Sequence, residues 1–541
     1  MRAMFRIGRA DPWLILLLGL ALRLIEVQAP LIDGQAWRQA DSGAIARNFY
    51  QEGYNLFYPR VDWRGTTPGY VEMNFPLYSF LVACLYGLLG GVHEWAGRLL
   101  SALFSTAGAG LLHLLVRRLG GGLWSGRLSA LFFLLFPLNI FYGRAFMPEA
   151  LMLLLSIGAL LAFERWSRTE GRGDFALAAL AAALCFMVKI PTLYLGLPLV
   201  ALAWARWGWA FPRRPVLWAY LALALAPAAA WYWHAHQLFL QTGLTFGIWG
   251  SQGYDKWAQG LLASGDFYWE LLRRFGHQVF TPVGAILLLA GVRPCWGTRQ
   301  ERALYAWGGG LLLYLFLIPE GNYRLVYYQV PFVPLGAVLA ARGLAPLLER
   351  AAWPQSWLAR PILRPLLEVV GGWGRPVLAG GVVLLLAGYS AWAAPGLYRP
   401  ANNVYRYYQA CHAAGQLIEQ KLPASALLVV GEIDENAGAP HRAQSPTMLY
   451  YCRRKGWQIT PEEFSAATLD SLVARGAGFL VVAGGFAVQN QVFWEELLRR
   501  GVSLPSAYPR FWHDDREYRR MLAGYQGPDR DFALVRLAPP D

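Results

Sequence analysis

Between residues 33 and 78 the chain gathers groups able to move protons and hold anions: Asp33, Arg38, Asp41, Arg47, Asp62, Arg64 and Glu72, beside Trp37, Tyr50, Tyr54 and Trp63. This stretch is the longest polar interruption in the N-terminal half. A carboxylate there can take a proton from a substrate hydroxyl held within hydrogen-bond reach. Asp41 opens a segment, 36–52, with helical periodicity that places Ile45, Phe49 and Leu56 on one face, so a helix cap is its structural alternative. Further along come Arg144 and Glu149 in FYGRAFMPE, Lys189 in VKIPTLY, and Arg324 in PEGNYR. Lys189 is one of only four lysines and sits within an apolar run; it is either a snorkelling anchor or a functional cation. Cations opposite carboxylates suit a site that holds an anion and deprotonates a neighbour.

The elements that must position these groups are membrane segments. Of 541 residues 56% are hydrophobic and 15% charged, against about 25% charged in soluble domains. Apolar runs of roughly 17–20 residues, the length that spans a bilayer, recur to about residue 394. The net charge of +14 collects in short loops between those runs, as cytoplasmic loops require, and does not point to nucleic acid. Arg2, Arg6 and Arg9 precede the first run, Trp13 to Ile25, with no small-residue cleavage site after it, which reads as a retained signal anchor. With the N-terminus inside, the segments 13–28, 95–116, 124–142, 147–164, 175–188, 191–206, 216–238, 278–292, 303–318, 325–341 and 376–394 alternate so that every arginine-dense short loop faces one side. Residues 76–91 then lie in the interface, because a further span would send Arg117 and Arg118 outward.

The expected partition is a transmembrane domain, 1–394, whose first outer loop is 29–94, and an extracytoplasmic domain, 395–541. In the latter, 425–432, 477–484 and 532–538 read as strands and 402–421, 461–475 and 490–500 as helices, an alternation typical of a small α/β domain. The five cysteines show no metal spacing. Cys411 and Cys452 are either two thiols, the favoured reading, or an extracellular disulfide.

Four stretches carry a resemblance. WRQADSGAIARNFYQEG (37–53), YVEMNFPLY (70–78), YGRAFMPEALMLL (142–154) and VKIPTLY (188–194), with a weaker echo in NYRLVYYQVPFVPL (322–335), resemble the motifs of the GT-C superfamily of polyprenyl-phosphate-dependent glycosyltransferases. The family 39 group, with its protein O-mannosyltransferases and aminoarabinose transferases, is the most similar. The chain departs from it in having single acids, Asp41 and the earlier Asp33, where many relatives have adjacent Asp-Glu, and Asn74 with a lone Pro76 where relatives often have charged residues and paired prolines.

The resemblance implies a polytopic α-helical membrane protein of about eleven spans plus interfacial helices. It implies a bacterial cytoplasmic-membrane enzyme whose site faces outward. The donor would be a sugar on a polyprenyl phosphate such as undecaprenyl phosphate, and the acceptor a hydroxyl of a glycan, lipid or protein. Asp41, or else Asp33, would be the base. Lys189, Arg324, Arg144 and Arg38 would hold the carrier phosphate. Glu72, Glu149, Asn74 and Tyr323 would contact sugar or acceptor. No cofactor is certain; a divalent Mg or Mn ion near Glu72 or Glu149 stays open, since such ions need several oxygen ligands. Two rival readings remain: a lipid-linked oligosaccharide ligase or polymerase using His277 with Arg273 and Arg274, and a transporter or flippase, for which no inverted repeat is visible.

Overall fold

Backbone placed in lipid must satisfy its own hydrogen bonds, so the apolar runs have to be helices. The structure, a computed structural model, describes residues 11–248, 259–293, 298–349, 360–399, 403–431, 446–483, 490–500 and 532–537. Each of the eleven expected segments holds a helix: Asp11–Leu24, Glu94–Arg118, Leu123–Leu135 continued by Pro137–Tyr142, Glu149–Thr169, Arg172–Val188, Gly196–Trp207, Pro215–Thr242, Thr281–Gly291, Arg299–Leu317, Phe332–Leu344 and Arg360–Ala393. Four apolar helical stretches among the described residues are long enough to cross a bilayer alone: Glu94–Arg118, Glu149–Thr169, Pro215–Thr242 and Gly374–Tyr398. The expected segment 191–206 is not one continuous helix. Pro191 follows the end of Arg172–Val188, a 3-10 turn runs from Ile190 to Leu195, and the α-helix resumes at Gly196.

The chain forms two compact units, and their division does not follow the linear boundary expected at 394/395. The first comprises Met1–Val27, Gly97–Tyr232 and Lys256–Tyr398. Within it, Glu149–Thr169 is central, with 72% of its apolar window buried, whereas Gly374–Tyr398 has 22% buried and presents Val377, Leu384 and Trp392 outward. Helices Thr281–Gly291 and Phe332–Leu344 meet backbone to backbone. A Cβ on Gly291 would lie 1.8 Å from the Leu339 carbonyl, and one on Gly343 2.2 Å from that of Leu287. Small residues allow this approach where no hydrophobic effect drives helices together. The short loop 143–148 is pinned from both sides: Arg23 donates to the Asn139 carbonyl at 2.9 Å, and Ser101 Oγ to the Ala145 carbonyl at 2.8 Å.

The second unit comprises Gln28–Ala96, Trp233–Asp255 and Arg399–Asp541. Its first helix, α1 (Ala36–Glu52), spans the periodic segment and stops at Gly53, whose φ of 113° an L-residue rarely adopts. Leu56, expected on its apolar face, lies beyond that stop. Ile45 and Phe49 do pack together, with Val61, Val71 and Ala83. α2 (Leu77–Leu89) is 13 residues long, about 20 Å, too short for a hydrocarbon core of about 30 Å.

The C-terminal part carries helices α3 (Asn403–Lys421) and α4 (Pro446–Tyr451) and strands β1 (Leu427–Gly431), β2 (Lys455–Ile459), β3 (Phe479–Ala483) and β4 (Phe532–Arg536). Helices Ala466–Ala474 and Gln491–Arg499 complete it. The sheet order is β2-β1-β3-β4, with β1 parallel to both neighbours and β4 antiparallel to β3. β2 was absent from the sequence reading because KGWQI offers little apolar alternation. It is an edge strand, and the first loop covers it: Gly65 N–H donates to the Gly456 carbonyl at 2.6 Å, and Gly456 N–H to the Asp62 carbonyl at 3.1 Å. Cys411 and Cys452 are free thiols, both buried.

Candidate functional site

Polar α1 is a helix buried on nearly all sides, including at Arg38, Asp41, Arg47 and Asn48. Buried polar groups must find partners, and theirs define the site. Trp63 Nε1 donates to Asp41 Oδ1 at 3.0 Å. The Trp63 ring meets Phe246 edge-on at 5.7 Å, and the Arg38 guanidinium lies 4.5 Å from the Phe246 ring centre. Asp41 is thus enclosed by one hydrogen-bond donor, one cation and aromatic surface. Burial pushes its carboxyl from the usual range up to about 7; Arg38 and the Trp63 bond moderate the rise, and Asp62 adds to it. A carboxylate tuned near neutrality by an apolar enclosure is suited to proton abstraction.

The neighbouring acid has the opposite fate. Burial alone would raise the Asp62 pKa, but Arg47 and Lys455, with a bond from Asn48, hold it below the usual range. Asp62 is therefore a fixed charge, tied to Arg47 and Lys455 in buried ion pairs. Glu52 extends this network to Arg60 at 3.0 Å and Arg64 at 2.9 Å. Asp33 accepts from the side chain of Gln39 in the turn before α1, which supplies a structural reason for an acid there.

Glu72 is 1% exposed. Its carboxylate accepts from the Thr245 hydroxyl and lies 3.2 Å from His236 Nδ1. Its carbonyl accepts from Phe246 N–H at 2.9 Å, so the Glu72 strand and the Phe246 segment are laced together beside Trp63. Asn74 is half-buried two residues on. Trp37 packs against the core of α3 and β1. No three His, Cys, Asp or Glu side chains gather as a metal site among the described residues.

In the first unit, Glu149 begins its helix, where the macrodipole favours a negative charge. Lys189 caps the C-terminal end of Arg172–Val188 and donates to Glu149 Oε1 at 2.8 Å, with its ammonium 5.3 Å from the Tyr327 ring centre. Glu149 Oε2 is buried with no hydrogen-bond partner among the described residues. Arg144 is fully buried, donates to the Glu26 carbonyl at 2.9 Å and lies 4.1 Å from the Tyr398 ring centre. Arg324 is largely exposed and pairs with Glu320 at 2.6 Å, one turn earlier. The Tyr323 ring is 6.3 Å from Phe267 and belongs to an apolar cluster with Leu271 and Leu315. Structure therefore joins Asp41 with Arg38 in one unit and Lys189 with Glu149 in the other. Arg273 and Arg274 both pair with Glu270, and His277 bonds to the Tyr389 hydroxyl.

Sequence reasoning singled out Arg47 without its partners and missed His236, Thr245, Phe246 and Lys455. Their partners lie far along the chain, and no spacing within one motif signals them.

The family profile of dolichyl-phosphate-mannose-protein mannosyltransferases matches residues 74–233. No curated protein matches in sequence. Among solved structures, ArnT from Cupriavidus metallidurans bound to undecaprenyl phosphate is similar over 99% of this chain and 100% of its own, at 15% identity and a TM-score of 0.61. Archaeal oligosaccharyltransferase AglB from Archaeoglobus fulgidus, in complex with an inhibitory peptide and a dolichol-phosphate, is similar over 87% of this chain and 69% of its own, at 11% identity and a TM-score of 0.51. The profile matches part of the chain, and the two solved structures show a fold that this chain shares. Residues 74–233 are thus similar to the dolichyl-phosphate-mannose-protein mannosyltransferase profile, and the fold is shared with ArnT across the chain.

Proposed function

We propose that the protein transfers a sugar from a polyprenyl-phosphate-linked monosaccharide to an acceptor hydroxyl on the outer face of a bacterial cytoplasmic membrane. The observation that carries this reading is Asp41, a buried carboxyl with a pKa of about 7 and a single indole donor. The acceptor hydroxyl gives its proton to Asp41 as its oxygen attacks the anomeric carbon. The bond from that carbon to the phosphate oxygen breaks, and polyprenyl phosphate leaves with the electron pair. One displacement inverts the anomeric centre. A phosphate monoester whose last ionisation is near pH 6 needs little help from an acid, only cations that stabilise its charge. In this reading Lys189, Arg144, Arg324 and Arg38 supply those cations, while Glu72, Glu149, Asn74 and Tyr323 orient sugar or acceptor. Glu149 Oε2, without a hydrogen-bond partner among the described residues, supports a role for Glu149 in accepting from a sugar hydroxyl.

The test is transfer by purified Asp41→Asn from a defined undecaprenyl-phosphate sugar. Transfer should fall by at least about a hundredfold, the low end of what a general base contributes, with the protein still folded. Turnover at the wild-type rate removes Asp41 from the role. A product that keeps the donor's anomeric configuration rules out the single displacement.

A further inference from the structure

A second cavity lies in the unit formed by the first loop and the C-terminal segments, and neither Asp41 nor Glu72 lines it. Its volume is about 300 Å³, at the small end of ligand sites. His412, Gln416 and Glu419 line it from α3, at the i, i+4 and i+7 spacing that shares one helix face. Tyr451 ends α4 and stands against the His412 ring, edge to face at 4.5 Å. The Tyr451 hydroxyl accepts from Leu31 N–H at 2.6 Å and donates to Glu94 Oε2 at 3.4 Å, so the ring is held rigid by both neighbours.

The lining chemistry selects its guest. Two carboxylates, Glu94 and Glu419, face two guanidinium groups, Arg47 and Arg453. Arg453 pairs with Glu419 at 3.3 Å, and Arg47 is occupied by Asp62 and the Tyr450 carbonyl. Burial lowers the pKa of His412, favouring its neutral ring. An anion would meet the two acids and a cation the two arginines. A neutral polyol meets donors and acceptors of both kinds around its rim, and an aromatic edge. A pure hydrocarbon would strand the polar wall without partners.

Helix α1 connects this cavity to the candidate base. Arg47 is six residues after Asp41, about 9 Å along the helix. Between them Gly43 leaves room for the Tyr450 ring, whose edge a Cβ there would approach to 3.0 Å.

We propose that this cavity is a saccharide subsite that binds a neutral sugar unit of the acceptor, so that the acceptor carries a glycan rather than being a bare protein side chain. The inference rests on the glycosyltransferase reading above for the word acceptor; the binding itself does not. The experiment uses the full-length chain in nanodiscs on an array of neutral oligosaccharides, charged oligosaccharides and unglycosylated serine and threonine peptides. Wild type and Asp41→Asn should retain a neutral oligosaccharide, and Gln416→Leu should lose about tenfold in affinity, the effect of one or two hydrogen bonds. His412→Phe, which keeps the ring contact with Tyr451, should weaken binding similarly and guards against a folding defect in either variant. In transfer assays Gln416→Leu should raise the acceptor KM and leave kcat in place. Failure of every oligosaccharide to bind, equal binding by both variants, or preference for the bare peptides overturns the subsite. Sugar binding that behaves as expected without transfer from any polyprenyl-phosphate donor overturns the proposed function and leaves the subsite standing.

Discussion

Under the proposed mechanism, removing the Trp63 hydrogen bond to Asp41 should move the pH at which transfer switches on. Trp63 Nε1 donates to Asp41 Oδ1 at 3.0 Å, and this bond favours the ionised carboxylate. Burial raises the Asp41 pKa to about 7, while the Trp63 bond and Arg38 act against the rise. In Trp63→Phe the aromatic contact with Phe246 survives and the donor is gone. A hydrogen bond to a charged group is worth roughly 1.5–3 kcal/mol, and one pKa unit corresponds to about 1.4 kcal/mol, so the pKa should climb by roughly 1–2 units. A base must be deprotonated to act, so kcat/KM should rise with pH through about 7 in the wild type and through a higher value in Trp63→Phe. The profile is measured with one lipid-phosphate sugar donor, whose phosphodiester stays ionised throughout. Stability gives an independent reading with the opposite sense. A carboxyl whose folded pKa exceeds its unfolded one stabilises the fold at low pH and loses that contribution as pH rises toward the folded value. Asp41→Asn should therefore unfold at a higher temperature than wild type above about pH 7, although it has lost activity. A wild-type limb near pH 4, or one that does not move in Trp63→Phe, refutes the assignment.

Two further outcomes follow from particular contacts. Lys189→Met leaves Glu149 buried without its 2.8 Å partner, which should cost about 3–5 kcal/mol; adding Glu149→Gln should recover thermal stability but not transfer. Gly456→Ala would set a Cβ 1.7 Å from the Leu428 carbonyl; pairing of β1 with β2 should break, and hydrogen exchange at Val429 and Trp457 should accelerate.

Much of the first unit was legible because its helices have a local cause, apolar length and flanking arginines; the 3-10 turn at Pro191 was not. α1 was legible from its periodicity, although Leu56 fell outside once Gly53 ended the helix. β1, β3 and β4 announced themselves as short apolar runs. β2 did not, because Gly456 is required by the close backbone of Leu428 and not by a strand preference. The grouping of the first loop with the C-terminal sheet was not legible at all. It depends on pairs such as Arg47 with Tyr450 and Lys455 with Asp62, separated by 403 and 393 positions, and such pairs leave no period in either segment. Asp41 was recognisable as an acid at the start of a helix. Its tuning was not, since burial by Trp63 and Phe246 exists only after folding.

The edge strand covered by residues 62–65 also bears on biogenesis. A ribosome releases α1 hundreds of codons before it makes Tyr450, Lys455 and Gly456, which complete the surroundings of Arg47 and Asp62. Until the final portion of the polypeptide emerges, Arg47 and Asp62 have one another but lack the Tyr450 carbonyl and the Lys455 ammonium. The contacts of Arg47 with the Tyr450 carbonyl and of Asp62 with Lys455 are thus completed late in translation, and a product cut before Tyr450 lacks both.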